Sequence, residues 1–356
     1  MVVSPSSTYS GIVNDPGLQG NLCRFNSSSG NDEDSKMSCN ANTSFTRVTN
    51  IGNTLLNSEL ESNLKSFLDW SFLGIGGWSN ITIPTSGAYG GTFDNLRLVD
   101  DPAYTAGQVW ETPRKDWVWE TGTEYAGYNP IDISGVWIDG ILKETGDATY
   151  GHHYNYPLGR VVFDSAISSS TTVQLEYSYR NVQTYIADQA PWWDELQYQS
   201  LRVDDPTFTN VGSGSWGILA NHRVQMPAVV VETVPRRRLE PYELGNTSSV
   251  VYQDVLFHVI AESRWWRNQL VDIISLQKDT SVRLYDTDKV IEKDVFPLDF
   301  RGMVVSPSST YSGIVNDPGL QGNLCRFNNV IVTEMESYNN RLHEGTIRVT
   351  FETIFV

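Results

Sequence analysis

Residues 250–288, VVYQDVLFHVIAESRWWRNQLVDIISLQKDTSVRLYDTD, lay out the order of elements that decides the fold. VVYQDVLFHVIAE is dense in β-branched and aromatic residues and reads as one long strand. SRWWRNQLVDIISLQKD then changes to helical spacing, with Ser263 as the N-cap whose hydroxyl accepts from a first-turn N–H. Trp266, Leu270, Ile273, Ile274 and Gln277 form the stripe expected to face the core. TSVRLYDTD returns to a strand pattern. After a Pro- and Gly-punctuated connection, NNVIVTEMES and GTIRVTFETIFV alternate apolar with polar residues and read as two more strands. Strand, helix, strand, loop, strand, strand is the order of a small α+β module, placed in residues 191–356.

Upstream the pattern is β with turns. ISGVWIDGILKE carries Asp139-Gly140 between apolar runs, a hairpin signal because a tight primed turn requires positive φ. In TTVQLEYSY, Val173, Leu175, Tyr177 and Tyr179 share one face of an expected half-buried strand. Several such strands at short spacing point to a sandwich-like β domain over residues 95–190. Residues 37–94 hold an amphipathic helix, NTLLNSELESNLKSFLDW, with Leu56, Leu60, Leu64, Phe67 and Leu68 on one side, followed by a Gly- and Ser-rich region. The fold class expected is α+β and mostly β: a β-rich sandwich-like domain followed by a smaller α+β (strand-helix-strand-strand) module. Asp-Asp-Pro after an apolar step occurs in both NLRLVDDPAYT and SLRVDDPTFT and reads as turn chemistry.

MVVSPSSTYSGIVNDPGLQGNLCRFN occurs twice, at residues 1–26 and again at 303–328, letter for letter. The second copy leads into strand-like sequence; the first runs into SSSGNDEDSK, which cannot bury apolar surface. Residues 1–36 are therefore read as an appended or displaced copy, with the natural chain beginning near Met37. The competing reading is a duplication whose first copy serves as an extra edge strand or extended arm. The start shows neither a charged n-region nor an apolar h-region.

A chain of 356 residues with 40% hydrophobic and 19% charged content can bury a substantial core. No apolar run reaches the length a bilayer requires. With 42 acidic against 25 basic residues the formal charge is −17, which argues against a general nucleic-acid-binding surface but suits the lining of a channel along which DNA slides. Cys23, Cys39 and Cys325 make no C-x-x-C spacing, so neither a zinc site nor a disulfide framework is expected, and assembly in a reducing cytoplasm fits. The 12% aromatic content, including 11 Trp and 17 Tyr, favours broad contact surfaces.

Candidate chemistry is sparse. His152-His153 would point to opposite faces of a strand, which disfavours a shared metal ion. His222, His258 and His343 lack ligand spacing, and His258 in VLFHVI reads as a satisfied strand residue. Asp100-Asp101, Asp204-Asp205 and Asp194-Glu195 supply paired carboxylates, and Trp192-Trp193 could stack on a sugar, but nothing brings a particular pair across a cleft. PWWDELQ reads as the start of a short helix with Pro191 in its first turn. No nucleophile elbow or P-loop occurs, and GIGGWS at Gly74 has the wrong following context for a phosphate cradle. Arg236-Arg237-Arg238, in VETVPRRRLEPYEL, is the one dense basic cluster and reads as a salt-bridging interface loop for an acidic neighbouring subunit. The expectation is no catalytic, metal or cofactor residue, and an interface set of Arg236, Arg237, Arg238, Trp192, Trp193, Trp265 and Trp266.

GVWIDGILKETGDATYGHHYNYPLGRVVFDSAISSSTTVQLEYSYRNVQTY, APWWDELQ, FHVIAESRWWRNQLVDIISLQKDTSVRLYDTDKV and EMESYNNRLHEGTIRVTFE together resemble virion structural proteins of contractile-tailed bacteriophages, particularly those infecting cyanobacteria. The likeness covers most of residues 37–356. It implies a non-enzymatic part of the particle, located in the virion at the tail or neck and assembled in the host cytoplasm. The order of the C-terminal module is similar to tail-terminator and neck proteins, which implies a ring at the head-tail junction, with copies of itself and other neck and tail proteins as partners and DNA passing through an acidic lumen. A β domain preceding that module departs from a bare terminator. A baseplate or tail-tip protein that binds host-surface carbohydrate through exposed Trp and Tyr is the alternative, and a glycan-degrading enzyme ranks third.

Overall fold

The computed structural model describes residues 56–83, 93–120, 122–190, 209–210, 224–241, 249–339 and 342–355. The readings of residues 1–36 and of the Asp204-Asp205 turn lie outside them. Helix α1 (Leu56–Gly74) forms on the expected stripe: Leu60, Leu64 and Leu68 are buried at four-residue spacing. Phe72 and Leu73 continue that stripe, which is why the helix runs one turn past the amphipathic window. It stops where Gly76 takes φ +79° and the Gly77 N–H returns to the Phe72 carbonyl at 2.8 Å.

Three small sheets follow. β1 (Trp78–Ile81) pairs antiparallel with β9 (Tyr177–Arg180). β2 (Arg97–Leu98), β3 (Val109–Glu111), β7 (Arg160–Phe163) and β6 (His152–Asn155) make a second sheet in that order. β5 (Ile141–Lys143), β4 (Val136–Ile138) and β8 (Val173–Leu175) make the third. They share one aromatic core, centred on Trp117, Phe163 and Tyr177. Trp117 buries its ring 5.3 Å from that of Tyr177 while its indole N–H donates to Thr112 Oγ1 at 2.9 Å, so the polar edge is satisfied.

The β4–β5 hairpin turns as expected, with φ +46° at Asp139 and +81° at Gly140. TTVQLEYSY differs from expectation. Its single strand divides at Glu176 into β8 and β9, which belong to different sheets. Ser178, expected on the polar face, is buried because its hydroxyl accepts from the Ile131 N–H at 2.7 Å and donates to Asn80 Oδ1 at 2.6 Å.

The rest of the chain builds a six-stranded sheet. Its order is β10 (Gln183–Ile186), β13 (Ala228–Pro241), β14 (Ser249–Ala261), β17 (Leu342–Phe355), β16 (Gln321–Asn339) and β15 (Ser281–Tyr285). β10 pairs parallel with β13; every other pair is antiparallel. β11 (Thr209–Asn210) and β12 (Val224–Gln225) form a separate two-residue parallel pair. Helix α2 (Arg264–Ser275) joins β14 to β15, and the short helices α3 (Thr287–Glu292) and α4 (Tyr311–Asn316) fill the connection to β16. This is the expected module order, and the chain is α+β with β predominating.

One face of the sheet carries Val229, Val231, Val255, Phe257, Val259, Ile347, Val349 and Phe351, and both α1 and α2 pack onto it. Full burial of each large apolar side chain there contributes roughly 1.5–3 kcal/mol. The second copy of the repeat is integral to this core: it supplies α4 and the start of β16, and Phe327 meets Phe351 edge to face at 4.5 Å. The buried side of α2 is Arg267, Leu270, Val271 and Ile274, which rotates the expected stripe by one residue. Trp266 is displaced from the core because Arg267 takes its place: the guanidinium donates to the Glu344 carbonyl at 3.4 Å and to Asn268 Oδ1 at 2.9 Å.

Candidate functional site

Ser263 caps α2 as read from sequence, its hydroxyl accepting from the Trp266 N–H at 3.3 Å. The first turn therefore presents Trp265 and Trp266 outward, 63% and 37% exposed, with ring centroids 4.9 Å apart at 76°. Arg267 and Val271 close over Gly345, where an added Cβ would meet Val271 Cγ2 at 2.8 Å and Met335 Sδ at 3.1 Å. Met335 of β16, which pairs with Gly345, is half exposed. Exposed Val332 lies one step along the strand, opposite Ile347. Trp265 and Trp266 on α2, and Val332 and Met335 on β16, are thus large apolar side chains left exposed on regular elements.

The arginine cluster sits differently from expectation. Arg236, Arg237 and Arg238 lie on strand β13 and not on a loop, because Arg237, Arg238, Leu239 and Glu240 pair in register with Gln253, Tyr252, Val251 and Val250 of β14. A bulge between Thr233 and Arg237 accommodates Pro235. Arg237 Nε donates to Gln253 Oε1 at 3.0 Å, while Arg238 lies over the Tyr252 ring and reaches Glu240 at 3.1 Å. Trp192, Trp193, Asp194, Glu195 and His222 lie outside the described residues.

The histidines have structural settings. His152 and His153 do face opposite sides of β6. The buried His152 meets the Tyr150 carbonyl at 2.7 Å and Tyr154 Oη at 3.1 Å, and burial pushes its pKa down. His343 contacts Ser337 Oγ at 2.7 Å. His258 is held by two carboxylates, Glu344 at 2.9 Å and Glu232 at 3.1 Å. Burial works against its charge, but the bonds to both glutamates outweigh this and raise its pKa. Sequence spacing missed this clamp because its members come from three neighbouring strands.

Asp101 starts the expected turn, accepting from the Ala103 N–H at 2.9 Å, and also pairs with Arg160, which bonds Glu111 at 2.8 Å. A cavity of about 300 Å³ lies between α1, β9 and the segment following β15, lined by Lys65, Asp69, Trp119, Arg180, Tyr285 and Phe296 among others. Its charges neutralise one another: Lys65 meets Asp69 at 2.8 Å, and Arg180 Nη2 donates to both oxygens of Glu120 at 2.8 and 2.7 Å. Desolvation pushes the neighbouring Asp116 up to about 6. Among the described residues no group of three or more His, Cys, Asp and Glu side chains could hold a metal ion, and no helix is long and apolar enough to cross a membrane. The chain matches no protein-family model and no curated protein.

Proposed function

We propose that this chain is a non-enzymatic structural subunit of a tailed-phage virion, which joins copies of itself into a ring at the head-tail neck and so connects head to tail. The observation that carries the reading is the Trp265-Trp266 pair standing outward from the first turn of α2. Large aromatic side chains fixed on regular elements make strong protein contacts, because they bury area at little cost in conformational freedom. The −17 charge supports a ring whose inner wall repels DNA, and the resemblance of the C-terminal motifs to phage virion proteins supports the location.

Size-exclusion chromatography with light scattering tests the reading. The purified chain should form a closed oligomer of defined mass, and replacing Trp265 and Trp266 by Ala should disperse it while changing thermal stability by less than about 0.5 kcal/mol, as for other exposed positions. Turnover of a substrate by the purified protein, or its absence from mature particles, would overturn the proposal. Glycan binding lost on replacing Trp265 would favour the carbohydrate reading instead.

A further inference from the structure

Among the described residues, the six-stranded sheet is covered at each side over only part of its length. On one side β10 pairs with Ala228–Val231, and among the described residues no strand continues beside Glu232–Pro241 of β13. On the other, β15 and the two residues before it bond β16 from Gln321 to Phe327, and among the described residues no strand continues beside Asn328–Asn339. The two lengths differ in chemistry. That of β13 carries the exposed Arg236 and Arg238 with Leu239, 61% exposed. That of β16 carries Glu334 and Glu336 at alternate positions, with Ile331 and Met335 exposed at 47% and 45%.

From this we infer that the occupant of each uncovered length is the other one on a second copy of the chain: β13 of one subunit adds to β16 of the next. The inference rests on the ring reading and names its interface. Strand sense permits it. β13, β14, β17 and β16 are successively antiparallel, so a head-to-tail step brings β13 antiparallel to β16, as at each junction between those four strands. Charge selects it over the two-fold alternatives. Pairing β16 with itself sets Glu334 and Glu336 among their own copies, and pairing β13 with itself sets arginines against arginines. Like charges across a ladder destabilise; opposite charges stabilise.

A contact between two different edges is heterologous, and such contacts close into a ring when the rotation per step returns to the start and run on as a filament when it does not. The geometry adds a constraint. Through the registers Arg238 is level with Arg326, whereas Glu334 is level with Val230. Those two levels are His258 and Tyr252 on β14, a separation of about 20 Å at ~3.4 Å per residue. Opposing Arg238 to Glu334 therefore shears each subunit along the strands relative to its neighbour, so the strands tilt with respect to the ring axis. Pro235 and the bulge shorten the regular ladder on β13 and protect that edge from indiscriminate strand addition.

Charge reversal in the full chain tests this by light scattering across a concentration series. R236E/R238E alone and E334R/E336R alone should each raise the concentration for half-assembly by about tenfold or more. An equimolar mixture of the two variants should assemble into mixed oligomers in which the two alternate, since the altered β13 of one matches the altered β16 of the other and their unaltered edges match as well. The four changes in one chain should restore the oligomer, which also shows that the altered positions permit folding. Wild-type assembly left unchanged by both reversals, or a quadruple variant that stays dispersed, overturns the strand pairing while leaving the ring. A wild-type chain that is monomeric at every concentration removes the ring and this interface with it.

Discussion

The side chain of Asn63, in the middle of α1, completes the backbone of Tyr285 at the end of β15: Nδ2 donates to the Tyr285 carbonyl at 3.0 Å and Oδ1 accepts from its N–H at 2.7 Å. An amide reproduces the donor-acceptor pair of a neighbouring strand, and Asn63 is wholly buried. Asn63→Ala should therefore cost about 1–3 kcal/mol, because it takes their partners from two half-buried backbone groups of Tyr285. A shift in the urea midpoint at unchanged slope is the expected readout.

Alkaline pH should weaken the fold. Burial, with Asp286 and Asp288 nearby, pushes Glu59 from 4.5 up to about 7, so its contribution is full below 4.5 and is lost as pH rises through 7. His258 acts in the same sense, since its raised pKa favours the charged form in the fold; its contribution is full below 6.5 and lost above its elevated value. Melting temperatures followed from pH 6 to 9 should fall, and Glu59→Gln should remove part of that fall.

Phe327→Ala should destabilise by about 3–5 kcal/mol, since the ring is buried against Phe351 and Phe67 and leaves a cavity behind. The equivalent change in the first copy, Phe25→Ala, probes whether the two identical peptides are interchangeable. If they are not, chemical denaturation of the Phe25→Ala chain should overlay the wild type.

Arg160→Met should cost about 1.5–3 kcal/mol, because the buried Glu111 carboxylate loses its 2.8 Å bond to Arg160 and keeps only Lys115, at 3.3 Å. Replacing Glu111 by Gln in the same chain should recover part of the loss, and a double-mutant cycle measures the coupling.

The fold was legible where a pattern is local. Asp139-Gly140 fixed its hairpin, Ser263 its helix start, and the spacing of Leu60, Leu64 and Leu68 the buried side of α1. It was not legible where a distant residue decides. Arg267 displaces Trp266 because the Glu344 carbonyl waits 77 residues away, and Ser178 is buried because Asn80 and Ile131 come to meet it. The arginines read as a loop because three charges beside Pro235 carry no strand signal; pairing with β14 overrides that local preference. Of the candidate interface, the composition of the Trp pair was visible, but its outward aim follows from a one-residue rotation that only packing sets.

Cys325 lies fully buried on β16, accepting from Thr353 Oγ1 at 3.3 Å, and burial pushes its thiol up to about 12. A thiol held in that state reacts with alkylating reagents only in molecules whose sheet has opened, so its labelling rate is a clock for opening at one defined place. Trypsin makes the clock readable despite the duplicated sequence: cleavage after Arg301 leaves the Cys325 peptide one glycine heavier than its twin from the N-terminus.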